Sequence, residues 1–172
     1  MTSRSRRIAA GAVALIAAAV AIALVLNRGD SDSREVATTA RSVADLNDPV
    51  VVEFRDTERS CITAFNGALA RQRRNEIDEL GLASAIEQEV LPPWQALRTK
   101  LDAATPPPRN VALYSALRRY VSARQTGWQA YVAGLRSPEG EARRHYDAYH
   151  ARDAEADAIA REIGAIFRAA AP

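Results

Sequence analysis

Arg109 to Arg136 reads RNVALYSALRRYVSARQTGWQAYVAGLR, and its apolar residues return every third or fourth position: Leu113, Leu117, Tyr120/Val121, Trp128, Tyr131/Val132 and Leu135. Each residue of an α-helix turns the chain through about 100°, so positions three and four apart share one face. The spacing predicts a helix buried along that face. Arg124 falls on the same face, and a buried cation there needs a partner.

Toward the C-terminus, Ser137-Pro138-Glu139 reads as a helix start, a capping residue followed by proline. Beyond it, Ala142, Tyr146, Tyr149, Asp153, Ala156, Ala160, Ile163 and Phe167 alternate steps of four and three, a heptad register. Toward the N-terminus, Thr105-Pro106-Pro107-Pro108 is a stiff turn, with Thr105 as a candidate cap for the helix that follows. Leu82–Leu91 and Trp94–Leu101 read as two helical segments parted by Pro92-Pro93, whose missing N–H groups are expected to break the ladder. The first helix of the body starts at Asp48-Pro49 and reads through to Leu80, with Gly81 as its stop. Its stripe is Phe54, Cys61, Phe65, Ala68/Leu69, Ile77 and Leu80, interrupted by Glu58, Gln72 and Glu76. Residues 48–172 are therefore expected to form an all-α, elongated antiparallel bundle of three to four long helices. A helix of about 30 residues reaches ~45 Å.

Ahead of this body, Ile8 to Leu26 (IAAGAVALIAAAVAIALVL) carries no charge and is apolar apart from Gly11. That length is close to the thickness of a bilayer core. Arg4, Arg6 and Arg7 precede it, which keeps residues 1–7 in the cytoplasm and sends the body outward. Residues 8–26 are thus read as a single-pass anchor in the cytoplasmic (inner) membrane, and 27–47 as a polar tether. Ala21-Ile22-Ala23 has the small-x-small form of a signal-peptidase site. Cleavage stays open beside retention, and either leaves the body extracytoplasmic or periplasmic.

The chain of 172 residues carries a formal charge of +2. Arg4, Arg6, Arg7 and Arg28 lie in the first 29 residues, where no acid does, so the rest is mildly acidic. Mixed signs on an acidic body argue against nucleic acid as a partner. Lys100 is the only lysine and alanine is abundant, as in a GC-rich bacterial genome. The single cysteine, Cys61, excludes an internal disulfide and a cysteine-rich zinc site, and its place on an apolar stripe predicts a buried small side chain.

Glu58, Gln72, Arg124 and Asp153 are the polar residues on otherwise apolar stripes. Their expected arrangement is mutual, with Arg124 meeting Asp153 or Glu58 across the bundle. A di-metal bundle needs two Glu-x-x-His pairs, and the nearest match is Asp147-Ala-Tyr-His150. His145 and His150 are about 140° apart on a helix and cannot share a metal on one face. No G-x-S-x-G elbow or Gly-rich phosphate loop is present. No catalytic residue, metal or cofactor is expected. Trp94, Trp128, Tyr131, Tyr146 and Tyr149 are at helical spacing and read first as packing, with a role as partner-binding anchors left open.

The stretch Glu87–Leu135 contains Val90-Leu91-Pro92-Pro93-Trp94, a proline turn, Leu117-Arg118-Arg119-Tyr120, Arg124, Trp128 and Leu135. It resembles helical extramembrane regions attached to some bacterial rhomboid-type intramembrane serine proteases, and small membrane proteins of unknown function. The protease's Gly-x-Ser-Gly motif is absent, so the resemblance implies an accessory helical module and transfers no catalytic residue. The expected function is a non-catalytic, membrane-anchored helical module that contacts an envelope protein or itself. The alternative is a bundle that senses a small ligand or metal in its polar-interrupted core.

Overall fold

A computed structural model describes residues 44–170. The anchor expected at 8–26 and the tether up to residue 43 lie outside the described residues. Within them the chain is helical throughout, with no strand, and no helix is long and apolar enough to cross a membrane. The helices are α1 (Pro49–Arg73), α2 (Glu79–Ala85), α3 (Leu91–Ala103), α4 (Val111–Arg136) and α5 (Glu139–Ala170). A π-helical turn, Ile86–Val90, joins α2 to α3, and a 3-10 turn, Pro108–Asn110, leads into α4.

Asp48 caps α1 by accepting from the Val50 N–H at 2.9 Å, and Pro49 fills the first helical position. The helix ends at Arg73, well before the expected Leu80. Asn75 takes a left-handed φ of 59°, the Asn75 N–H donates to the Gln72 carbonyl at 2.9 Å, and the Glu76 N–H donates to the Arg71 carbonyl at 3.0 Å. This is a Schellman stop built on asparagine rather than glycine. Asp78 then caps α2 by accepting from the Gly81 N–H at 2.8 Å. Gly81 therefore lies in the first turn of a helix and is no terminator. Ile77 is half-buried and Leu80 is exposed, so neither continues the α1 core stripe.

Pro92-Pro93 does not break the chain's helical course either. The Leu91 N–H donates to the Ile86 carbonyl five residues back, and this wider turn lets both prolines sit in the first turn of α3. Thr105 lies in an extended stretch, and the residue that precedes α4 is Asn110. Pro138 precedes α5 directly, its carbonyl accepting from the Ala142 N–H at 3.0 Å.

Partner residues along the helices give their directions. Glu58 and Phe65 of α1 meet Tyr120 and Trp128 of α4, so these two run parallel. Arg124 and Gly134 of α4 meet Asp153 and Tyr146 of α5, so these run antiparallel. The helical run 79–103 lies antiparallel to both α1 and α4, as the Lys100–Glu53 and Glu89–Arg71 contacts show for α1 and the Leu101–Arg118 and Glu87–Arg136 contacts for α4. The result is a four-membered up-down-up-down bundle. Consecutive members pack closely, whereas α5 brings its backbone near α4 and hardly near α1. Large side chains fill the α1–α4 diagonal, chiefly Phe54, Phe65, Tyr120 and Trp128.

One glycine is required by close approach. A Cβ on Gly134 would stand 2.6 Å from the Tyr146 ring, so the bare backbone there is what admits the tyrosine between α4 and α5.

Candidate functional site: a polar chain across the bundle

Tyr120 and Arg124 are one turn apart on α4, and Asp153 and Asp157 one turn apart on α5, so each pair projects in one direction. Between them and Glu58 of α1 runs a continuous chain. The Tyr120 hydroxyl donates to Glu58 Oε1, and Arg124 Nε donates to the Tyr120 oxygen at 3.0 Å. Arg124 Nη1 donates to Asp153 Oδ1, and Nη2 stands 3.7 Å from Asp157 Oδ1. The guanidinium carbon also lies 5.2 Å from the centre of the Tyr120 ring. Glu58 and Arg124 are buried, Asp153 is 15% exposed in its side chain and Asp157 34%.

Burial raises the Glu58 carboxyl above its ordinary range, against the opposing pull of Tyr120 and Arg124. Burial also raises Asp157, helped by Asp153 and opposed by Arg124 and Arg161. Burial alone lowers a guanidinium, yet Tyr120, Asp153 and Glu58 outweigh it and hold Arg124 above its usual value. Tyr120 and Tyr149 are both raised, first by burial. Cys61, one turn from Glu58, is pushed up to about 12 by burial and then by Glu58, and its thiol donates to the Val90 carbonyl at 3.6 Å. A buried thiol held protonated is a poor nucleophile.

Of the residues singled out by sequence, the structure thus brings together Glu58, Arg124 and Asp153. Arg124 meets Asp153 directly and Glu58 through Tyr120, a link the sequence reading had placed only on the apolar stripe. Gln72 lies apart: it is half-buried in the last turn of α1, fourteen residues or about 21 Å along the helix from Glu58. Trp94, Trp128, Tyr131 and Tyr149 are buried and Tyr146 is half-buried. The first four are packed within the bundle instead of offered to a partner. Trp128 packs tilted against Phe65 at 4.7 Å between ring centres and Tyr131 against Tyr149 at 5.0 Å.

Beside Arg124 and Asp153, between Gly127, Trp128 and Tyr149, is a crevice of about 10 Å³. That is the room one water takes, against several hundred Å³ for a small-molecule site. The buried Tyr149 hydroxyl and Asp157 Oδ1 have no protein hydrogen-bond partner. His150 is exposed and His145 half-buried. Among the described residues no group of three or more His, Cys, Asp or Glu side chains is placed to hold a metal ion.

A second polar knot lies where the chain enters the bundle, and the sequence reading missed it. The Asp45 N–H donates to Asn110 Oδ1 at 2.8 Å, and Asn110 Nδ2 donates to Asp48 Oδ2 at 3.0 Å. The Tyr114 hydroxyl donates to Asp48 Oδ1 at 2.8 Å, and Arg109 pairs with Asp45. Asp48 ends up with a lowered pKa, because its hydrogen bonds from Tyr114, Val50 and Asn110 outweigh the effect of burial. The last residues of the expected tether are therefore fastened to the start of α4. The only sequence signal was an asparagine two residues after three prolines.

No protein-family model, curated protein or solved structure matches this chain.

Proposed function

We propose that the protein is a non-catalytic helical module, anchored in the cytoplasmic membrane through residues 8–26, whose bundle stands outside the cytoplasm and binds another envelope protein or a second copy of itself. The observation that carries this reading is the outer side of α5. Its 32 residues extend about 48 Å, and its inner side is held by α4. Its outer side leaves Ala148, Ala151, Ala154, Ala158 and Ala165 exposed among arginines and glutamates. Short side chains let another helix approach closely, and flanking charges supply orientation.

The polar chain fits the same reading as a register device. Its links from Glu58 through Tyr120 and Arg124 to Asp153 are made by side chains of the bundle itself, and the crevice beside it is too small for a ligand. The uncharged run at 8–26 with arginines before it supports the anchor. The resemblance of Glu87–Leu135 to extramembrane regions of rhomboid-type proteases is in keeping with an accessory role beside a membrane protein.

The test is cross-linking in intact cells with a carboxylate-reactive reagent, chosen because Lys100 is the sole lysine, followed by purification from membranes. One dominant co-purifying envelope protein, or a discrete self-oligomer, is the expected result. Recovery of an uncross-linked monomer from the soluble fraction would overturn the proposal.

A further inference from the structure

Three carboxylates, Glu58, Asp153 and Asp157, surround one arginine, and two of them belong to α5, the member whose backbone approaches chiefly α4. With every carboxyl ionised, this largely buried group would hold two negative charges more than Arg124 neutralises. Beyond Arg124, the only cation among the described residues that acts on these carboxylates is Arg161, at Asp157, and none acts on Glu58. On α3 the neighbour is the Trp94 ring beside Tyr120, while Arg98 and Lys100 are exposed and paired with Asp102 and Glu53. On α1 the Cys61 thiol, one turn away, is held protonated, and Arg59 is exposed and paired with Asp56. Half-buried Arg55 does not act on Glu58, whose carboxyl responds to burial, Tyr120 and Arg124. On α5, Arg161 acts on Asp157, and Arg152 is exposed and bonded to Glu155.

We infer that the chain carries an exchangeable proton on the Glu58 carboxyl, and that this proton keeps α5 docked. Glu58 is the site because Asp153 holds the direct guanidinium bond and Asp157 is partly in water. When Glu58 gives its proton to solvent, its full charge competes with Asp153 for Arg124, the diagonal α1–α4 link tightens, and the α4–α5 link loosens. The sign follows from the raised pKa of Glu58. Its contribution is fully present below the unfolded value and is lost as pH rises through the folded value. The bundle is in this way a proton-responsive clamp on its outermost helix.

The experiment is hydrogen–deuterium exchange of the full-length chain across a pH series, corrected for intrinsic exchange, read on peptides from α5 and, as a reference, from α1. In the wild type, opening of α5 should increase by up to about tenfold per pH unit between the ordinary carboxylate value and the raised value of Glu58 in the docked state, then level off, and it should do so ahead of α1. Glu58→Gln keeps the acceptor, removes the charge and should hold α5 protection constant across the series. Equal pH dependence in Glu58→Gln and wild type, or an α5 open at every pH in the variant, overturns the inference. Infrared spectra of the wild type supply a second readout that needs no variant. A protonated-carboxyl band should persist where ordinary carboxylates are ionised and vanish in step with α5 opening; its absence would also overturn the proposal.

Discussion

Arg124 carries two structural duties at once, joining Asp153 on α5 and, through Tyr120, Glu58 on α1. Removing one member of a buried charged pair leaves the other uncompensated, which typically costs about 3–5 kcal/mol, while replacing both with apolar groups is often far milder. Arg124→Leu should therefore destabilise the bundle by roughly that amount in urea unfolding, and Arg124→Leu with Asp153→Leu should recover part of the loss. Full recovery is not expected, because Glu58 and Asp157 remain. Tyr120→Phe removes the hydroxyl that bridges donor and acceptor and should cost about 1–3 kcal/mol with little change in packing. At the chain entry, Asp48 has a lowered pKa. Its contribution is present above the unfolded carboxyl value and is lost as pH falls through the lower folded value. Asp48→Asn should accordingly flatten the acid limb of the stability–pH curve, measured by thermal unfolding, and leave the neutral limb's slope unaltered.

At the scale of helices, α4 and α5 were legible from side-chain period alone, since every apolar position read on the α4 stripe is buried. The α1 end was not, because its stop is an asparagine in a left-handed conformation and the 3.6-residue pattern runs on past it into the next helix. Gln72 lies within α1, but the helix's buried stripe ends at Leu69, so it does not join the expected core cluster. The proline pair misled for a different reason: a missing N–H is fatal to an α-ladder but can be absorbed by a π-turn, which the residue pattern does not announce. Tyr120 was visible as an apolar stripe residue, whereas its bridging hydroxyl depends on two partners 62 and 4 residues away. Two substitutions test these elements. Asn75→Val forces a β-branched residue into a left-handed backbone and should cost about 1–2 kcal/mol, whereas Asn75→Gly should be near neutral, as read by denaturant midpoint. Gly134→Ala sets a methyl group against the Tyr146 ring and should cost about 1–3 kcal/mol. The damage should appear first as faster exchange of α5 amides.

For the molecule as a whole, the proposed function gives different duties to its two ends and its two sides. At the entry end, Asp45, Asp48, Asn110 and Tyr114 lock the incoming chain to the start of α4, so the bundle follows whatever holds the residues before it. The aromatic core is closed on itself, and the long outer side of α5 is exposed. In the proposed arrangement the membrane supplies location, the bundle supplies a rigid platform, and α5 supplies the recognition surface. The most direct test places a photo-activated cross-linking residue at Ala151, on the outer side of α5, and separately at Thr63, exposed on α1, in cells. The account predicts one dominant adduct from position 151, in the membrane fraction, and little from position 63. Adducts of equal yield from both positions, or none from 151, would contradict it.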